Sequence, residues 1–250
     1  MIFVIAIHEW RSLFLSPLAW SLLAVTQGLL AWMFILLVDD FRNLQGRLVA
    51  LDHAPGVTDL VVAPLFRVAA WVLLLLVPLL TMRLFSQERR SRTLDLLLSA
   101  PVGTPAMVLG KYLGVVTFFI NAVGLITLMP LSLAMGAPLD LGKLLAGALG
   151  LTLLVAAATA AGLYLSTLTT QPTVAAVTTL GLLLALWIVD AASTAQGISS
   201  DLLSYLSLRR HYDSFLLGLF DSSDLAYYFL FSLAFLGLAM RRLDDLRLRD

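Results

Sequence analysis

Six long apolar runs, separated by short polar breaks, set the pattern of this chain. Residues 17–38 carry no charge. At about 1.5 Å per residue they are long enough to cross a hydrocarbon core of about 30 Å as a helix. Residues 64–85, 105–135, 144–166, 172–189 and 225–240 read the same way, with Pro78 and Pro130 as kink positions and the last run short but fully apolar. Residues 2–15 differ. Their only polar positions are His8, Glu9, Arg11 and Ser12, which share less than half of a helical wheel, with Trp10 near the polar edge. That pattern predicts a helix lying in the membrane interface. Ser16-Pro17 then supplies a cap and a first-turn proline for a new helix. Between the spans, 39–60 reads as a polar loop, 138–143 and 167–172 as turns, and 190–224 as a mixed segment holding an apolar piece too short to cross. No repeat, linker or low-complexity stretch divides the chain, so residues 1–250 read as a single transmembrane domain of the all-α class. Neither a basic start nor an uninterrupted apolar core marks a cleavable leader, and the first span is expected to act as an uncleaved anchor.

Composition fits lipid as the solvent. Of 250 residues 60% are hydrophobic and 13% charged, against about a quarter charged in soluble domains. A net charge of zero excludes a broadly basic nucleic-acid binder. With no cysteine and three scattered histidines, thiolate chemistry is excluded and no metal site is expected. Orientation follows from the basic residues. With the N-terminus inside, Arg11, Arg83, Arg89, Arg90, Arg92, Lys111, Arg241, Arg242, Arg247 and Arg249 are cytoplasmic, while Arg42, Arg47, Arg67, Lys143, Arg209 and Arg210 lie outside. This bias puts both termini in the cytoplasm.

Catalytic motifs fail on mechanics. GTPAMVLGKY at 103–112 has six residues between its glycines and Tyr after the lysine, whereas a phosphate loop needs four and Ser or Thr. His8-Glu9 lacks the second histidine of a zinc-protease helix, and no GxSxG elbow occurs. Asp39-Asp40 reads as a solvated span end. Within the spans, Arg67 is either a snorkelling cation or a residue of a substrate path. Asn121 is either an interhelical hydrogen-bonding group or a residue of the same path. Gly110-xxx-Gly114 and the face of Ala157, Ala161 and Gly162 read as close helix packing.

The most unusual stretch is SQERRSRTLDLLLSAPVGTP at 86–105. As a helix, 86–98 aligns Leu94, Leu97 and Leu98, and sets Glu88 four residues from Arg92 and Asp95 three beyond. Pro101 and Gly103 stop it, and Thr104-Pro105 restarts the chain into the membrane. The stretch is therefore an amphipathic cytoplasmic elbow between spans 2 and 3.

Glu88-Arg89-Arg90-Ser91-Arg92-Thr93-Leu94-Asp95-Leu96-Leu97-Leu98-Ser99-Ala100-Pro101, followed by Gly110-Lys111, resembles the signature of ABC-2 type transporter permeases, with Arg92 where glycine is common. His211-Tyr212-Asp213-Ser214-Phe215, then Gly218 and Asp221, is similar to the segment before the last span in gliding-motility (GldF-like) and copper-enzyme-maturation (NosY-like) permeases. The resemblance implies six spans with an N-terminal interfacial helix and a cytoplasmic coupling helix between spans 2 and 3. It implies a permease in a bacterial inner membrane, an exporter by family habit, paired with a second permease of the same or a related kind. ATP and Mg²⁺ would be bound by a separate ATPase, so this chain would hold no cofactor and catalyse nothing. ATPase contact would fall to Glu88, Arg89, Arg92, Asp95 and Pro101, with Glu9 and Arg11 secondary. His211, Asp213 and Phe215 would belong to short helices capping the external side, where an accessory protein could bind. A membrane-embedded enzyme, or an ion-coupled carrier working without an ATPase, is the alternative.

Overall fold

The computed structural model describes residues 1–48, 55–91, 93, 103–195 and 205–248. Those residues form helices and short connections with no strand. Six of the helical stretches are long and apolar enough to cross a membrane, which makes this an all-α membrane protein.

Helix α1 (Ile2–Leu15) ends at Ser16, whose extended backbone (φ −80°, ψ 122°) turns the chain into α2 (Pro17–Leu48). The corner is clamped by the Trp20 indole, which donates to the Phe14 carbonyl at 2.6 Å. The expected loop at 39–60 is partly helix, because α2 continues through Asp39 and Asp40 to Leu48. Once a span has paid nucleation, each further residue adds a hydrogen bond, and residues 39–45 contain no glycine or proline to stop it. A π-helical turn (Thr58–Val62) leads into α3 (Ala63–Thr81), a turn follows at 82–85, and α4 (Ser86–Arg90) is five residues long. Arg92, Leu94, Asp95, Leu97, Leu98 and Pro101, which complete the predicted amphipathic elbow, lie outside the described residues. The chain re-enters with α5 (Thr104–Leu131), extended by one 3₁₀ turn (Ser132–Met135). Then come α6 (Leu141–Leu168), α7 (Pro172–Ala195), the short α8 (Leu208–Leu216) and α9 (Ser222–Arg247). Asp140 caps α6 by accepting the Lys143 N–H at 3.1 Å.

Helix α6 is central because its sequence lets it be. It is apolar on every side and built largely of Ala, Gly and Leu, and residues of its 157–162 segment are all buried. Small side chains allow neighbours to approach closely, which is how helices associate in lipid. A Cβ added to Gly147 would lie 2.7 Å from the Phe66 ring, and one on Gly150 would lie 2.6 Å from Phe215 Cβ. By contrast α2 is peripheral: only 11% of its most apolar window is buried, against 67% for α6.

The two ends of the chain share one end of the bundle. Thr104 Oγ1 at the start of α5 donates to Asp244 Oδ1 near the end of α9 at 2.6 Å, and α1 packs along the same end of α5.

Candidate functional site

The end of the bundle that holds both termini gathers α1, α4, the start of α5 and the end of α6. Gly110 and Gly114 make the gathering possible. A Cβ on Gly110 would sit 2.7 Å from Ile5 Cβ and 3.1 Å from the Ile2 carbonyl oxygen, and one on Gly114 would sit 2.7 Å from Glu9 Cβ and 3.0 Å from the Ala6 carbonyl oxygen. The glycine pair is a groove into which the backbone of α1 settles. Its partner is the interfacial helix, not another span.

Lys111 lies next to that groove, one residue after Gly110. Its Nζ donates to Glu88 Oε1 of α4 at 2.8 Å and lies 3.5 Å from Glu9 Oε2 of α1. The Phe85 ring is 5.4 Å from the same ammonium. The lysine side chain is only 8% exposed. A cation this deep in apolar surroundings requires paired counter-charges, and the two carboxylates that supply them come from two other helices. The triad therefore joins α1, α4 and α5 through one ammonium. A second tie secures α4 from the other side, where Arg89 Nη1 donates to the Thr167 carbonyl at the end of α6 at 2.8 Å. Ser86, buried at the start of α4, hydrogen-bonds back to the Met82 carbonyl and tightens the turn leaving α3. Beside the triad opens a cleft of about 420 Å³, with Glu9, Glu88, Lys111, His8 and Arg83 among its lining.

The predicted site residues divide accordingly. Glu9, Glu88 and Arg89 are brought together here. Arg11 lies on the exposed face of α1, without an ion-pair partner among the described residues. Arg92, Asp95 and Pro101 fall outside the described residues. Lys111 was not singled out as a functional residue by the sequence. The signal that could have found it was a lone lysine inside an otherwise apolar helix, which needs a carboxylate nearby, with Glu88 upstream.

At the opposite end, α8 does not lie over the bundle as a cap but is wedged into it. Tyr212 and Phe215 are fully buried, Phe215 fills the recess at Gly150, and the Tyr212 hydroxyl donates to the Phe66 carbonyl at 2.9 Å. Burial pushes the Tyr212 phenol well above its ordinary pKa of 10.0, with Asp213 adding to the rise, so it stays a donor. Asp213 receives Arg67 Nη2 at 3.2 Å and Arg209 Nε at 3.3 Å. Arg67 thus has an ion partner, although its side chain is 51% exposed. His211 is enclosed: Nδ1 lies 2.5 Å from Asp224 Oδ1, Nε2 lies 2.9 Å from the Tyr205 carbonyl, and the ring stacks on Tyr227 at 4.0 Å. The imidazole is held between the Asp224 carboxylate and the Tyr205 carbonyl and fastens α8 to the start of α9. Among the described residues, the one hydrogen-bond partner of the Asn121 side chain is on its own helix. Asn121 is exposed, and its amide donates to the Thr117 carbonyl at 2.7 Å.

Among the described residues no group of three or more His, Asp or Glu side chains could hold a metal ion. The chemistry available at either end is ion pairing and hydrogen bonding between helices. Comparison with curated proteins found no match. A family model described as ABC-2 family transporter protein matches residues 4–242, nearly the whole chain, and the chain belongs to that family.

Proposed function

We propose that this permease subunit of an ABC transporter receives the motion of a separate ATPase at the junction of α1, α4 and α5, and works as an exporter half. The carrying observation is the buried ammonium of Lys111, held by Glu88 and Glu9. A push on α4 displaces Glu88, and a 2.8 Å ion pair cannot follow unless Lys111 and its helix follow too. Arg89, tied to Thr167, passes the same displacement to α6. Glu88 in this reading positions α4 rather than touching the ATPase. Contact with the ATPase falls to the exposed surface of α4 and to Arg92, Asp95 and Pro101, with Arg11 on the neighbouring helix.

Two such permeases, alike or related, would enclose the path, with α2 carrying much of the free apolar surface. ATP and Mg²⁺ belong to the partner. The resemblance of 211–221 to gliding-motility and copper-enzyme-maturation permeases supports a bacterial inner membrane, with the α1 end in the cytoplasm and the α8 end facing an external accessory protein. Arg67 and Asn121 remain candidates for the path.

The test is reconstitution with the cognate ATPase. Glu88→Arg, which places a second cation against Lys111, is expected to weaken co-purification or abolish the permease-dependent part of ATP hydrolysis. Wild-type coupling in that variant would remove Glu88 from the mechanism. A cysteine at Ser91 should resist an impermeant external label in intact cells, and free labelling there would reverse the orientation.

A further inference from the structure

A second cleft, of about 660 Å³, lies at the same end of the bundle, between the end of α3 and the start of α7. Its volume is in the range of about 300–1,000 Å³ common to small-molecule sites. Its polar lining residues are Arg83, Arg90, Gln87, Ser91 and Thr173, with no carboxylate among the described residues, and Arg83, Gln87 and Ser91 are shared with the cleft beside Lys111. The cleft beside Lys111 differs, because there Glu9 and Glu88 match the cation. Arg83 and Arg90 are exposed and have no ion-pair partner among the described residues. Helix α7 begins at the rim with Pro172, so the N–H groups of its first turn add positive potential on the same side.

An apolar surface continues from this cleft toward the membrane centre. On α3, Trp71, Leu75 and Leu79 stand four residues apart, each more than a third exposed, and Arg83 is the next step of the same stripe. On α7, Val174 and Val177 are 44% and 65% exposed. The helices pack against each other, with the Trp71 and Trp187 rings 5.3 Å apart. An anionic side chain of a protein partner would satisfy the two guanidiniums but leave the stripe bare. A molecule with a phosphate head and hydrocarbon chains matches both. Guanidinium groups bind phosphate through paired, charge-assisted hydrogen bonds, and basic pockets between membrane helices recognise lipid headgroups in this way.

We propose that this cleft binds the phosphate of an anionic phospholipid, whose chains lie along the Trp71–Leu75–Leu79 stripe. The site requires neither the ATPase nor a particular direction of transport, so it stands or falls separately from the proposed coupling.

The experiment uses the full chain purified in detergent without ATPase, with bound lipid counted by native mass spectrometry. The probes are dioctanoyl phosphatidylglycerol, dioctanoylglycerol and glycerol 3-phosphate. The expected result is one saturable phosphatidylglycerol, with either of the other two at least about tenfold weaker because each lacks half of the match. Arg83→Gln with Arg90→Gln should lower phosphatidylglycerol affinity by about tenfold or more, while the corresponding double Lys variant retains most of it. Both sites are exposed, so folding should be unaffected, and thermal unfolding checks that. Unchanged affinity in the double Gln variant, or equal binding of dioctanoylglycerol, overturns the proposal. Equal binding of glycerol 3-phosphate overturns it in favour of a soluble phosphate ester. Equal loss in the Gln and Lys variants also overturns it, because charge would then not be what the cleft reads.

Discussion

Replacing Lys111 with methionine tests the junction most directly. Methionine keeps most of the volume and removes the ammonium. Two carboxylates, 18% and 25% exposed, are then left at the meeting of α1, α4 and α5 with no cation between them. Stripping one partner from a buried pair costs about 3–5 kcal/mol. The residual exposure of both carboxylates lowers the expectation to about 2–3 kcal/mol. For a chain of this size that corresponds to a fall in Tm of about 4–12 °C. Glu88→Gln leaves Lys111 with Glu9 and should cost about 1–2 kcal/mol, and Glu9→Gln should cost less still, because its contact is 3.5 Å rather than 2.8 Å. Combining Lys111→Met with Glu88→Gln and Glu9→Gln should recover most of the loss, since no unpaired charge remains. Thermal unfolding of the purified chain, followed by tryptophan fluorescence, supplies all these values. Costs that simply add in the Lys111→Met/Glu88→Gln double variant would refute the reasoning, because residues sharing one ion network must be non-additive. So would a Glu9→Gln variant less stable than Lys111→Met.

Three further outcomes follow from the geometry. Gly110→Leu and Gly114→Leu should push α1 off α5 and destabilise by about 1–3 kcal/mol, whereas Gly124→Leu on the same helix, with nothing within 4 Å of an added Cβ, should leave thermal unfolding unchanged. Phe215→Ala should empty the recess at Gly150 at a cost of about 3–5 kcal/mol, and Tyr212→Phe should cost about 0.5–1.5 kcal/mol through the lost bond to Phe66; denaturation midpoints rank the two. At the start of α9, Asp221 accepts the Ser223 N–H at 3.0 Å, and that bond, with the Ser223 hydroxyl, holds its pKa below the ordinary 3.8. A depressed folded-state pKa means the cap is fully present above the ordinary value and is lost as pH falls through the lowered one. Protection of the Ser223 amide from hydrogen exchange should therefore step down only below about pH 3.8. An Asp221→Asn variant should show no such step.

The spans were legible because lipid leaves a chain few choices: 17–38 has no charge and must bury its backbone polarity as a helix. The break at Ser16-Pro17 and the close approach at Gly110 and Gly114 were legible for equally local reasons. Which surface filled the glycine groove was not, since nothing in Gly-xxx-Gly distinguishes a spanning helix from the interfacial α1. The run of α2 past Asp40 was missed because polarity marks the end of the membrane, not the end of a helix. Lys111 was missed as a functional residue because its partners are 102 and 23 positions away, and pairing at such separations is set by helix packing that no local pattern carries. Asn121 shows the converse. Its polarity suggested a partner across helices, and the structure satisfies it within one turn of α5.

The two ends of the molecule are mechanically connected by α3 and α6, which run in the same direction and touch at matched levels. A Cβ on Gly147 would meet Phe66 at 2.7 Å, and one on Gly162 would meet Thr81 Oγ1 and, at 2.9 Å, Thr81 Cβ. Each pair of contacts is 15 residues apart on its helix, about 22 Å of shared register. Two helices locked over that length move as one body, because close-packed surfaces are not continuously deformable. At one end this body holds α8 through Phe66, Arg67 and Gly150. At the other end it holds α4 through the turn after Thr81 and through Thr167. A tilt imposed where Glu88 meets Lys111 must therefore either reach the wedge around Tyr212 and Phe215 or break one of these contacts on the way. Breaking the seam would expose Phe66 and Thr81, both inaccessible to solvent.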